Sequence, residues 1–257
     1  MSDLLHVTVP YARLRETLPL LVEKKLQPEV AFSGPELDSL DTGFLREAGE
    51  TLRASGIDIT VHGPYHDLNP GALEPMVRRV TRKRFGQTLA AASTLGASLV
   101  VFHPGFDPWK YGGQDHIWVE SNLKFWPPLL DLAADSGCLM ALENIFEEVP
   151  STLKELLTRL DSPWLGHCFD VGHWHLFGRV SLAEWFSALG PRLIHLHLHD
   201  NFGKRDEHLP VGEGRIDFAT LFRLTGELPA EPSLTLEAHD QEAMLRSLSR
   251  VSSLLGR

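Results

Sequence analysis

The chain has 257 residues, 43% of them hydrophobic, enough for one large core and too apolar for the disordered, collagen-like and coiled-coil classes. Its 24 Lys+Arg against 34 Asp+Glu give a formal charge of −10, which excludes a general nucleic-acid coat and leaves room only for a local phosphate-binding patch. Two cysteines, Cys138 and Cys168, make no disulfide framework; with no leader-like start and no apolar run of about 18 residues, the expectation is a cytoplasmic protein without a membrane segment.

Along the chain, eight short apolar runs alternate with longer helical patterns. The runs are Leu4–Pro10, Glu29–Ser33, Ile57–His62, Ser98–His103, Leu139–Asn144, Leu165–Asp170, Leu193–His199 and Ser233–Glu237. They are often β-branched and mostly bounded by Gly, Pro, Asp or Asn, which reads as strands. Apolar residues at helical spacing fill Val77–Leu95, Ser151–Leu160, Ser181–Leu189 and Gln241–Leu255. Gly96 after Leu95, Ser151 ahead of Glu155, and Ser181 followed by Glu184 mark helix ends. Strict strand–helix alternation implies parallel strands with helices outside. Eight units of about 30 residues favour a closed (β/α)8 TIM barrel, a single α/β domain over 1–257, above an open doubly wound sheet. No Gly-x-Gly-x-x-Gly follows the first run, which weakens the open-sheet alternative further.

In such barrels the chemistry sits at the C-terminal ends of the strands, and the ionisable residues fall there. The third run ends in His62, the fourth in His103-Pro104-Gly105, and the fifth in Glu143-Asn144. The sixth runs through Asp170 into Gly172-His173, the seventh carries His195, His197 and His199, and the eighth ends in Glu237-Ala238-His239. Strand alternation sends the three histidines of run seven to the interior and Leu196 and Leu198 to the helices. Glu143, Asp170 and Glu237 around one axis would raise at least one carboxyl pKa strongly unless cations neutralise them. Neutral imidazoles and carboxylates are what Zn²⁺, Mn²⁺ and Fe²⁺ accept, so a divalent-metal site is expected. Asp206-Glu207-His208, in the loop after run seven, adds an Asp-x-His pair able to place both heads on one ion.

Three other features stand apart from this set. Arg78, Arg79, Arg82, Lys83 and Arg84 cluster at the start of one helix, as a phosphate-binding patch or as a solvated face with a weak Glu74–Arg78 pair. Trp109, Tyr111 and Trp118 lie in a long segment after run four that could cover the barrel mouth, with Trp109 stacking on a sugar. Tyr65 and His199 are further candidate substrate contacts, His195 and His199 are alternatively supports behind the ligands, and His6, His116 and His167 read as structural.

These residues resemble the xylose isomerase-like TIM barrel superfamily, and within it the endonuclease IV branch (AP endonuclease family 2). The similarity runs in order from His62, in His62-Gly63-Pro64-Tyr65, to Glu237. Endonuclease IV holds three zinc ions with nine residues, and all nine have counterparts here. The resemblance implies that His62, His103 and Glu143 bind one ion. Glu143 would bridge to a second ion held by Asp170, His197 and Glu237, and His173, Asp206 and His208 would hold a third. It implies three Zn²⁺, with Mn²⁺ or Fe²⁺ as alternatives. The chain departs from that branch where His66-Asp67-Leu68 replaces an apolar pair and Asn, and where Ile145-Phe146-Glu147-Glu148 follows Glu143-Asn144 in place of Gly-Gln-Gly. Gly172 stands at a Cys position. The ligands look retained and the DNA-reading parts changed.

Two chemistries fit this set. One is phosphoester hydrolysis by metal-activated water. The other is sugar isomerisation or epimerisation with one ion, Glu143 and Glu237 moving the proton as acid and base and Asp170 completing the centre. His62, His103, His173, Asp206 and His208 exceed what an isomerase requires, which favours the hydrolase; a metal-binding protein without catalysis is the third possibility. The acidic charge and altered loops favour a sugar or sugar-phosphate substrate over abasic DNA. The oligomeric state is left open.

Overall fold

A computed structural model describes residues 5–254. Leu4 and Leu255, assigned above to the first run and the last helix, lie outside the described residues. The eight strands are β1 (Leu5–Pro10), β2 (Gln27–Ala31), β3 (Thr60–His62), β4 (Leu99–Phe102), β5 (Leu139–Glu143), β6 (Leu165–Asp170), β7 (Leu193–Leu198) and β8 (Ser233–Leu236). Every neighbouring pair is parallel, and β8 pairs back onto β1, closing the barrel in sequence order. Each apolar run of the sequence became a strand. The main differences are at ends: β2 starts two residues earlier than read and stops at Ala31, and β3 is only Thr60–His62.

The helices outside are α1 (Tyr11–Lys24), α2 (Thr42–Ala54), α3 (Pro75–Leu95), α4 (Pro108–Tyr111), α5 (Asp115–Phe125), α6 (Pro127–Ser136), α7 (Ser151–Leu160), α8 (Val171–Phe177), α9 (Leu182–Leu189), α10 (Phe218–Gly226) and α11 (Gln241–Leu254). Ser181 and Glu184 form a reciprocal capping box at the start of α9, and Gly96 closes α3 in the left-handed region with φ 76°. Gly49 permits α2 to touch the end of α3, since a Cβ there would fall 2.1 Å from the Leu95 carbonyl. The segment after β4 differs from the expected open cover: α4, α5 and α6 occupy it, and Trp118 is wholly buried as a packing anchor.

Alternation along each strand sorts the side chains. Val100, Phe102, Leu196 and Leu198 join the main core beneath the helices, whereas Leu99, Val101, Ala141 and Cys168 form a separate apolar cluster on the inward face. Alongside it inside the barrel sits a polar layer: Glu29, Thr60, His195 and Thr235, each at most 1% exposed. Glu29 Oε2 accepts hydrogen bonds from Thr60 and Thr235 at 3.1 and 3.0 Å and lies 3.1 Å from His195 Nε2. The cluster of carboxylates and imidazoles stands above that layer.

Candidate metal centre

Glu143, the last residue of β5, is the hub. Its Oε2 lies 3.1 Å from His62 Nε2 and 3.1 Å from His103 Nε2. Its Oε1 faces another pair of rings, 3.1 Å from His173 Nδ1 and 3.4 Å from His197 Nδ1. One oxygen of this carboxylate thus faces His62 and His103, and the other faces His197 with the His173 N–H beside it. His197 Nδ1 also lies 3.3 Å from Glu237 Oε1 and 3.8 Å from Asp170 Oδ2. A third set forms around Asp206, whose Oδ2 is 3.3 Å from His173 Nε2 and 3.1 Å from His208 Nε2. All nine residues that the resemblance marked come together at the C-terminal ends of the strands.

The fit to divalent cations can be judged from spacing and orientation. Two donors each about 2 Å from one ion at a tetrahedral angle lie about 3.3 Å apart, and the donor contacts here are 3.1–3.4 Å within most of these sets. Ring orientation agrees. His62 Nδ1 donates to the Gly63 carbonyl at 2.8 Å, leaving Nε2 to face Glu143. His173 Nδ1 donates to the Asn144 carbonyl at 3.1 Å, leaving Nε2 to face Asp206. His197 is wholly buried, its Nε2 3.1 Å from Glu29 Oε1 and its Nδ1 surrounded by carboxylates. Outer partners of this kind fix the tautomer of metal-ligating histidines. Burial opposes ionisation of Glu143, yet the charges on His103 and His197 hold its carboxyl well below the usual range. Ionised carboxylates packed this closely require positive charge between them.

The loop bearing Asp206 and His208 is held by one buried residue, Asp200. Its carboxylate accepts N–H bonds from Asn201, Gly212, Gly214, Arg215 and Ile216 at 2.8–3.1 Å. Asp200 and Leu209 also exchange both backbone bonds at 2.8 Å. Between these anchors His208 is kept in the left-handed region, at φ 46°. Such a conformation costs of order 1 kcal/mol in a non-glycine residue and persists where surrounding bonds over-determine it.

Two of the three substrate contacts expected from sequence are placed elsewhere. Trp109 is 93% exposed and lies outside the main cleft; on α4 it stands two residues, about 200°, from Tyr111, which turns inward to line that cleft. His199 is wholly buried, its Nε2 3.1 Å from both Asp170 oxygens, and the His208 ring covers it at 4.0 Å. It therefore belongs with the donor cluster. Tyr65 does line the cleft, half exposed and stacked on His103 at 4.5 Å. His167 is a structural residue, as expected, donating to the Leu142 carbonyl and accepting from Trp185 Nε1. The sequence reading passed over Glu29, whose Oε1 is 3.1 Å from His197 Nε2 and which stands close enough to His197 and Glu237 to share an ion with them. Its signal was a single acid inside an apolar strand, in register with Thr8 and Thr60.

The cleft above the cluster encloses about 1010 Å³. One wall is apolar and aromatic, with Leu68, Phe106 and Tyr111, and the opposite wall has Phe146 and Phe177.

A parallel eight-stranded barrel with a carboxylate–imidazole cluster at its mouth defines the class of this protein. The model of the family described as xylose isomerase-like TIM barrel matches residues 23–253, and the chain belongs to that family. An uncharacterized protein of Methanocaldococcus jannaschii is 32% identical over 188 residues, 70% of this chain and 64% of its own length. The chain thus spans a little under two thirds of that relative. A probable endonuclease 4 of Mycobacterium leprae is 27% identical over 188 residues, 67% of this chain and 70% of its own. Among solved structures, a Thermus thermophilus protein soaked with ZnCl2 superimposes with a TM-score of 0.81 at 28% identity, covering 100% of this chain and 98% of its own. A D-tagatose 3-epimerase-like protein reaches 0.80 at 26% identity, covering 98% and 97%. Among the described residues, no helix is long and apolar enough to cross a membrane.

Proposed function

We propose that the protein is a metal-dependent phosphoester hydrolase acting on a sugar-phosphate-type small molecule at a multinuclear site. The observation that carries this reading is Glu143, whose Oε2 faces His62 and His103 and whose Oε1 faces His197, so that one carboxylate could serve two donor sets. The donor residues could hold divalent ions, which when bound would supply Lewis acidity for activating water and neutralising charge on a phosphoryl group. The rest falls to the chain. Glu143 fixes the spacing of the two inner donor sets, with Asp170, His197 and Glu237 completing one of them. His173, Asp206 and His208 hold a third position at the rim, where negative charge on a leaving oxygen would be met. Tyr65, half exposed above His103, and the apolar walls orient the substrate and thin the water around it. Glu29 keeps the His197 ring turned towards the cluster. The ions fitting this donor set are Zn²⁺, with Mn²⁺ or Fe²⁺ as alternatives.

A second reading, sugar isomerisation or epimerisation on one ion, is favoured by the D-tagatose 3-epimerase-like neighbour and by Glu143 and Glu237 both lying within 3.4 Å of His197 Nδ1. Hydrolysis of abasic DNA, suggested by the endonuclease 4 relative, ranks behind both. The −10 charge and the replaced Gly-Gln-Gly and Asn segments weigh against it.

The test is metal content per chain by mass spectrometry, with turnover of sugar phosphates, phosphodiesters, ketosugars and an abasic-site duplex. Near three equivalents with phosphoester cleavage supports the hydrolase. One equivalent with ketosugar epimerisation would replace it by the second reading, and efficient duplex incision by the third.

A further inference from the structure

The basic cluster on α3 divides between two faces of the helix. Lys83 and Arg84 turn to Asp38, at 3.0 and 2.7 Å, and are neutralised there. Arg78, Arg79 and Arg82 turn the other way, into a groove of about 720 Å³ between α3 and α5 that also presents His116 and Lys124. Positions 78, 79 and 82 lie within about 100° of one another around the helix, on a face turned away from that of Arg84. The expected Glu74–Arg78 pair is not formed. Glu74 caps the Met76 N–H at 3.0 Å, and Arg78 donates instead to the Ala72 and Leu73 carbonyls.

Among the described residues, none of Arg78, Arg79, Arg82 and Lys124 has a carboxylate partner. Glu120, the one acid lining the groove, is taken by Arg159 at 2.7 Å. Two of the guanidiniums are nonetheless held in place: Arg78 by its two carbonyls, and Arg82 over the Phe125 ring, 5.2 Å from its centroid, with a bond to the Lys124 carbonyl at 3.4 Å. Uncompensated, pre-positioned cations are anomalous in a chain of net charge −10. The groove adjoins the cleft over the donor cluster at Leu73, which lines both. The cleft itself has a single Lys or Arg in its lining, Lys110, beside Asp67, Glu74 and Asp107.

We propose that the α3–α5 groove is an anion subsite of the barrel-mouth cleft, taking a phosphoryl group carried on the substrate at the end remote from the donor cluster. This rests on the reading of that cleft as the site for a sugar-phosphate-type molecule. It adds that the substrate is extended, with a terminal phosphate distinct from the reacting group. Planar guanidiniums recognise phosphate oxygens in paired hydrogen bonds, and three of them with a lysine suit a dianion better than a neutral sugar.

The experiment is calorimetric titration of the metal-loaded protein with inorganic phosphate at low salt. Four forms are compared: wild type, Arg79→Gln/Arg82→Gln, the charge-matched control Lys83→Gln/Arg84→Gln, and the metal-centre variant Asp206→Asn/His208→Ala. The expected result is a salt-sensitive phosphate equivalent weakened about tenfold or more in Arg79→Gln/Arg82→Gln, and kept in the control and the metal-centre variant. Identical titration of wild type and Arg79→Gln/Arg82→Gln would overturn the subsite. Loss of all phosphate binding with the metal-centre variant would overturn it as well, while leaving the metal-site reading intact. A single-stranded decathymidylate is the second probe. If it binds through Arg79 and Arg82 while inorganic phosphate does not, the groove is a nucleic-acid surface and the small-anion assignment falls.

Discussion

Gly172 and His199 compete for one volume at the centre: a Cβ on Gly172 would fall 2.0 Å from His199 Cε1. The absent side chain is what allows the His199 ring to reach both oxygens of Asp170 at 3.1 Å. Gly172 stands where the endonuclease IV pattern has Cys, and the space it leaves is taken by the buried His199 imidazole. Gly172→Ala should destabilise the fold by about 1–3 kcal/mol through overpacking. Adding His199→Ala should recover much of that loss. Urea unfolding of the single and double variants measures both, and a double variant no more stable than Gly172→Ala would refute the steric relationship.

Glu143→Gln and Asp170→Asn should abolish turnover under either proposed chemistry, because each removes charge from the donor cluster while keeping shape. The barrel should remain folded, since its core lies beneath the helices and lower in the barrel. Circular dichroism should be unchanged while metal content falls. Retention of more than a small fraction of activity by either variant would displace Glu143 or Asp170 from the centre.

Asp206→Asn with His208→Ala should lower the metal count by one per chain. If the third position stabilises a leaving oxygen, kcat for phosphoester cleavage should fall at least about 10²-fold. In an isomerase the same change should chiefly raise KM, and a near wild-type kcat would decide for that reading.

Asp200→Ala should act on the same position without touching a ligand. It releases five backbone N–H groups and the clamp around His208, with an expected loss of about 3 kcal/mol or more in stability. Metal content should drop by the equivalent that Asp206 and His208 hold. Full occupancy in a folded Asp200→Ala protein would show that the loop does not depend on this carboxylate.

His167 should make the fold sensitive to acid. Burial pushes its pKa down to about 4, and its ring is fixed neutral, donating to Leu142 and accepting from Trp185. The unfolded chain takes up a proton near the ordinary pKa of about 6.5 while the folded chain does not, so stability is full above that value and lost as pH falls towards 4. The contribution is up to about 3 kcal/mol. His167→Gln removes the titrating ring, and urea midpoints between pH 7 and 4.5 should then fall less steeply than in wild type.

Strand identity and the candidate donor residues were written locally in the chain. Apolar runs ending in His62, Glu143 or Asp170 carry both a β signal and a polar terminus, and parallel alternation places all those termini at one end of the barrel. Glu29 needed the closed barrel: its neighbours Thr60, Thr235 and His197 lie on β3, β8 and β7, and only closure brings them together. Strand alternation already turned His199 inward, but its reach to both Asp170 oxygens depends on the space left by Gly172, a contact across 27 residues. The exposure of Trp109 was not legible because α4 is one turn long, and a turn that short gives no repeat from which its buried face can be read. The basic run on α3 is contiguous in sequence, yet Asp38 on one side and α5 on the other divide it. The sequence determined which residue types stand at the mouth; packing decided which of them face a cation, a neighbour or open solvent.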